Sequence, residues 1–315
     1  MKKTLKMAAL VAAVTGSAYY LLMNTLFKMA FTENGPIKLT PTIKNSPYEE
    51  DMARGARWLH GHDRHVVYTQ SREGLTLKGH LIETPKAKRT VVMVHGWHGA
   101  WDGDFAPCAK WFYEHGCNLL IIEQRSQNGN SGKYMTLGVK ESQDVLCWLD
   151  WMRENDLDQL PAYLYGISMG STTVLMASGQ KLPDFVKGTI ADCGFNSPYQ
   201  MLDGYRRKNL PLPKFPIMPS LEILCRLKAG FSLRSHTAVK AMKTCHVPVL
   251  FIHGTADDFV PARYTMEIYG ACSSPKKLLL VEGAAHTLSF LKDKRAYTAA
   301  VTSFFRRYDS GHYHW

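Results

Sequence analysis

The chain has 315 residues, enough for one large domain or two modest ones at roughly 100–200 residues each. With 45% hydrophobic and 21% charged residues, and 24 glycines and 15 prolines scattered through it, it is neither a disordered chain nor a coiled coil. The net charge of +11 is concentrated: residues 1–30 carry Lys2, Lys3, Lys6 and Lys28 without an acid, and residues 199–244 carry nine bases against Asp203 and Glu222. The balanced remainder excludes a nucleic-acid-binding stripe over the domain.

From the N-terminus, Met7 to Phe27 is free of charge and preceded by three lysines. As a helix rising about 1.5 Å per residue it matches a hydrocarbon core of roughly 30 Å, so residues 1–31 are expected to form a single-pass membrane anchor. Gly16-Ser17-Ala18 offers a signal-cleavage alternative, but cleavage there leaves Tyr19-Tyr20-Leu21-Leu22-Met23 exposed at the new terminus. The lysine excess before the segment orients the short N-terminus to the cytoplasm and the remainder outside, giving a membrane-held, extracytoplasmic domain. Residues 32–47 are polar and proline-bearing and read as a tether, so anchor and tether are expected to add no catalytic group.

The folded domain is expected over residues 48–315. Val66 to Gln70, the turn Ser71-Arg72-Glu73-Gly74 and the alternating run Leu75 to Leu81 describe an antiparallel hairpin. Short apolar runs then follow at Val91–Val94, Leu119–Ile122, Tyr163–Tyr165, Thr189–Ala191, Val249–Ile252 and Leu278–Val281, as strands buried on both faces read. Helical spacings lie between and after them, as in Val145, Trp148, Leu149 and Met152, or Tyr297, Ala300, Val301, Phe304 and Tyr308. The alternation predicts an α/β fold, a mainly parallel central sheet with helices on both faces, whose ligands gather at the strands' carboxyl ends. Residues 199–235, basic and carrying four prolines, break the rhythm and read as an inserted cap. Its bases Arg206, Arg207, Lys208, Lys214, Arg226 and Lys228 suit anionic head groups or acidic substrates, and Leu210, Leu212, Phe215, Ile217 and Met218 suit a pocket wall; the alternative is a solvated insertion whose charges only aid solubility. The seven cysteines form no CxxC pair and are expected as buried thiols.

The strand ending at Tyr165 runs into Gly166-Ile167-Ser168-Met169-Gly170 and then a small-residue helix. Glycines two before and two after Ser168 are what a nucleophile in a strained strand-to-helix turn requires, because backbones approach closely there. A serine hydroxyl is a weak nucleophile at neutral pH and needs a histidine base held by a carboxylate. Asp257 and His286 each follow a later strand, and the order Ser168, Asp257, His286 is that of α/β-hydrolases. Asp192, one strand earlier, competes for the role of acid. His60, His62 and His65 are expected on a solvated lead-in without a carboxylate partner, not at a metal.

These motifs carry a resemblance. From about Val66 to Tyr308 the sequence resembles the α/β-hydrolase superfamily, and within it the bacterial serine hydrolases related to prolyl-oligopeptidase and serine-aminopeptidase domains, through VVMVHGWHG, YGISMGS, IADCGF, FIHGTADDFVP and VEGAAH. The resemblance implies Asp257 as the acid, with Asp258 a polar neighbour, and an oxyanion hole from the amides of Met169 and Trp97. It implies turn-shaping roles for His95 and His253. Over residues 123–132 the chain departs from the family's Asp-x-Arg-x-His-Gly pattern and loses its histidine, a change expected to be structural. No cofactor or metal is called for. The serine at the elbow argues against haloalkane dehalogenases and epoxide hydrolases, whose nucleophile by resemblance is an aspartate. The expected activity is carboxylic-ester hydrolysis through an acyl-serine, because 315 residues leave no room for the propeller that restricts prolyl oligopeptidases to peptides. Its alternatives are a peptidase of the same fold and a non-catalytic membrane-tethered binding protein.

Overall fold

The computed structural model describes residues 2–33 and 47–309, residues 2–14 as backbone only. Eight strands form one sheet: β1 (His65–Gln70), β2 (Thr76–Ile82), β3 (Arg89–Val94), β4 (Cys117–Ile122), β5 (Ala162–Ile167), β6 (Val186–Asp192), β7 (Val249–Gly254) and β8 (Lys276–Val281). Their order is β1-β2-β4-β3-β5-β6-β7-β8, with the β1–β2 and β2–β4 pairs antiparallel and all the others parallel. The hairpin register pairs His65 with Leu81 and Gln70 with Thr76, closing the turn at Gly74, whose φ of 78° suits glycine.

β3, β4, β5 and β7 are buried along their whole length, as their continuous apolar runs require. β8 differs from expectation. It closes the sheet, and Lys276, Lys277 and Leu280 face solvent. An apolar run does not reveal which strand lacks a second neighbour.

Helices α2 (Glu49–Gly61) and α3 (Ala109–Glu114), with the final helix Lys294–Tyr308, cover one face through Leu59, Phe112, Val301 and Phe305. Helices α4 (Glu141–Glu154) and α5 (Met169–Ser178) cover the other, burying Trp148, Leu149 and Val174. The cap consists of α6 (Pro198–Asn209), capped by Ser197, and α7 (Lys214–Leu224), continued by a π-turn to Ala229.

The N-terminal segment corrects the expected single-pass anchor. Helix α1 runs from Lys2 to Phe31, and no helix among the described residues is long and apolar enough to cross a membrane. From Tyr19 onward α1 packs on the cap: Met23, Phe27 and Phe31 are buried, Phe31 meets the Phe231 ring at 5.6 Å, and the Tyr19 hydroxyl donates to Ser220 Oγ at 2.8 Å. The physical reason is that an uncharged run fits a protein groove as well as a lipid core. Its second half is a packing face of the folded body. Residues 34–46, most of the expected tether, lie outside the described residues; Glu33 accepts from the Asn128 amide at 2.6 Å.

Candidate active site

β5 delivers Ser168 to the turn before α5 with φ 56° and ψ −117°, a conformation unfavourable for any residue with a side chain. The two glycines make the turn possible. A Cβ at Gly170 would run into the Val94 carbonyl, and one at Gly166 into the Gly170 carbonyl. The Ser168 amide donates to Asp192 O at 2.9 Å, tying the elbow to the end of β6.

The loops after β7 and β8 bring two further side chains to that serine. His286 Nε2 lies 2.9 Å from Ser168 Oγ, and its Nδ1 lies 2.6 Å from Asp257 Oδ2. Asp257 Oδ1 accepts from the amides of Phe259 and Val260 at 3.0 and 2.8 Å. Burial pushes this carboxyl up, but hydrogen bonds with His253 and His286 and their nearby charge outweigh it and bring it down to about 2. An ionised acid is thereby held against the imidazole. His253, fully buried between Thr265 Oγ1 and Val260 O, braces the turn.

Asp192 and Asp258 fall elsewhere. Asp192 accepts from the Tyr297 hydroxyl at 3.1 Å, and burial pushes its carboxyl up to about 6. Asp258 is exposed and pairs with Lys208. His60, His62 and His65 do not converge, but His60 departs from expectation: it lies on α2 with Nε2 2.7 Å from Asp102 Oδ2, a carboxylate brought near by the fold alone. Cys193 has its sulfur within 4.8 Å of the ligating atoms of Asp257 and His286, but burial pushes the thiol well up, which makes it a poor metal ligand. All seven cysteines are free and buried.

Met169 opens α5 directly after Ser168, and Trp97 lies in the loop after β3, so both stand at the serine's side. That loop is fastened by residues with no sequence signal. Asp104 accepts from the Gly96 amide at 2.5 Å, and the Asn128 side chain donates to Gly99 O at 2.8 Å and to Glu123 at 2.6 Å. Asn128 has φ 53°, which asparagine tolerates better than most residues. Arg125 of the same departing segment is buried in a two-point bond to Asp144, at 2.7 and 2.6 Å. His95, buried, contacts Gly96 O and accepts from the Gln124 amide.

Ser168 opens into a narrow apolar slot of about 80 Å³. Leu210, Ile217 and Met218 line it as the cap sequence suggests, whereas Phe215 is 78% exposed and points away. Arg206 lines it too, but its guanidinium is taken by Asp203 and Leu212 O. The unforeseen wall is α1. Leu26, Met29 and Ala30 line the slot, and the carbonyl of Ala30 accepts from Trp97 Nε1 at 3.1 Å.

A serine held at a strained turn above a sheet of this order defines the class: the protein is an α/β-hydrolase, and a serine hydrolase within it. A model of the prolyl oligopeptidase family matches residues 104–311, and the chain belongs to that family. The Bacillus subtilis protein YqkD is 26% identical over 234 residues, 73% of this chain and 75% of that one. Protein bem46 of Schizosaccharomyces pombe is 27% identical over 216 residues, 67% and 66% of the two chains. Among solved structures, the Pyrococcus furiosus esterase Pf2001 superposes with a TM-score of 0.66 at 18% identity, covering 89% of this chain and 98% of its own. The Pyrococcus horikoshii acylaminoacyl peptidase does so with a TM-score of 0.60 at 17% identity, covering 83% and 44%. At such identities the structural likeness concerns the fold alone.

Proposed function

We propose that the protein hydrolyses carboxylic esters with apolar acyl groups through an acyl-serine intermediate. The observation that carries this reading is the placement of Ser168 at the floor of a slot walled almost entirely by apolar side chains, which suits a hydrocarbon acyl chain better than a peptide backbone with its polar groups. In the mechanism Ser168 Oγ attacks the ester carbonyl while His286 Nε2 takes its proton, and Asp257 stabilises the imidazolium. The amides of Met169 and Trp97 hold the oxyanion. Collapse breaks the bond to the alcohol, which leaves with the proton from His286. Water, deprotonated by the same nitrogen, then attacks the acyl carbon and frees Ser168.

The test is a panel of p-nitrophenyl esters of increasing acyl length beside aminoacyl p-nitroanilides, run with the wild type and Ser168→Ala. Ester turnover that favours longer acyl chains than acetate and vanishes in Ser168→Ala is expected. Faster cleavage of the anilides than of every ester overturns the ester reading in favour of a peptidase.

A further inference from the structure

Beside the slot lies a second hollow of about 540 Å³, and the two share Met201, Tyr205 and Phe259 as a common wall. Its character is mixed, an apolar wall with a basic rim. Arg207 and Lys208, from the last turn of α6, and Arg263, the first residue of the helix Arg263–Ala271, line it with Asp258 as its one carboxylate among the described residues. Lys208 is paired with Asp258, whereas Arg207 and Arg263 have no ion-pair partner among the described residues. Arg263 stands in the first turn of its own helix, where a cation is unfavourable and a bound anion would offset the helix's positive end, and its guanidinium lies over the Tyr264 ring at 5.1 Å.

The position of this hollow follows the chemistry of acyl transfer. The acyl half remains on Ser168, beside Trp97 and inside the slot. The alcohol half leaves with a proton from His286 and therefore lies on the histidine's side. Phe259, part of the shared wall, packs against the His286 ring at 5.0 Å between centroids, which sets the hollow on the histidine's side of the slot.

We infer that the preferred substrates are acyl esters whose alcohol half carries an anionic group, phosphate or carboxylate, received by Arg207 and Arg263. The inference rests on the ester-hydrolase reading and narrows it to amphiphiles with an apolar acyl chain and a charged head. The apolar slot gives the acyl half no charge to pair with, whereas the hollow adds Arg207 and Arg263 to its apolar wall and so favours an alcohol half that carries an anion.

A matched substrate pair tests this: 1-octanoylglycerol and 1-octanoylglycerol 3-phosphate, with the wild type and the double variant Arg207→Ser/Arg263→Ser. The expected wild-type kcat/KM is about tenfold higher for the phosphate ester, chiefly through KM. That ratio should shrink toward one in the double variant, and in the wild type at about 0.5 M salt, where screening is strong. Equal wild-type values for the two substrates, or an unchanged ratio in the double variant, overturns the inference while leaving ester hydrolysis standing. Failure to cleave either substrate, or any ester of the p-nitrophenyl panel, overturns the ester reading itself.

Discussion

At Ser168 the backbone occupies a conformation costing on the order of 1–3 kcal/mol, and it persists because Gly166 and Gly170 allow neighbouring carbonyls to close in. Gly170→Ala should therefore lower the melting temperature sharply or prevent folding, since the added methyl meets the β3 backbone and not a movable side chain; a near-wild-type melting curve would contradict this. Ser168→Ala and His286→Ala should each reduce ester turnover by roughly 10⁴ or more with circular dichroism unchanged, because such residues act as a unit. Asp257→Asn should be severely impaired and Asp192→Asn should retain turnover, measured side by side; the reverse result would move the acid to β6. Ser168, Asp257 and His286 were legible because each follows a strand, and a glycine-flanked serine in a strand-to-helix turn has a steric reason visible in one dimension. Asp104 and Asn128 were not. Asn128 braces the loop after β3 from a segment that only tertiary structure brings near, and Asp104 folds that loop back on itself with no motif to mark it.

Among the elements, α1 departs furthest from its sequence reading. Met7 to Phe27 lacks charge, which satisfies lipid and protein alike, while Tyr20 and Leu21 on its exposed side hide the one-sidedness of the helix. The spacing of Met23, Phe27 and Phe31, four apart, was the available signal for a packed face. The helix lines the slot and its last turn accepts from the Trp97 indole, so deleting residues 1–31 should lower ester kcat/KM by about tenfold or more and shift preference toward short acyl groups. Deleting residues 1–18, which ends before the packed half begins at Tyr19, should leave the acyl-length profile in place. An acyl-length profile that the longer deletion leaves unaltered would show that α1 is not a working wall.

Across the whole molecule, one carboxylate joins parts far apart in sequence. Glu123, at the end of β4, meets His80 of β2 at 3.5 Å, His95 after β3 at 3.2 Å and Asn128 at 2.6 Å. Burial pushes its carboxyl up, but the His80 and His95 imidazoles beside it and the Asn128 amide outweigh this and hold the group at about 2 against an ordinary value of 4.5. The folded state thus binds the proton more weakly than the unfolded chain. This stabilisation is complete above the ordinary value and is lost as pH falls toward 2, in total about 3 kcal/mol. Denaturant unfolding between about pH 5 and pH 3 should show that acid sensitivity, and Glu123→Gln should flatten it; an equally steep decline in the variant would assign it to other groups. The sheet's existence could be read from its apolar runs, but the neighbour order that gathers Glu123, His80 and His95 could not, since pairing between distant strands leaves no local trace. One wall of the slot, by contrast, is a single helix set beside the cap. A descendant lineage can therefore alter its diet by rewriting the thirteen residues from Tyr19 to Phe31 while the sheet and its chemistry are inherited intact, so that taste and fold diverge at separate rates.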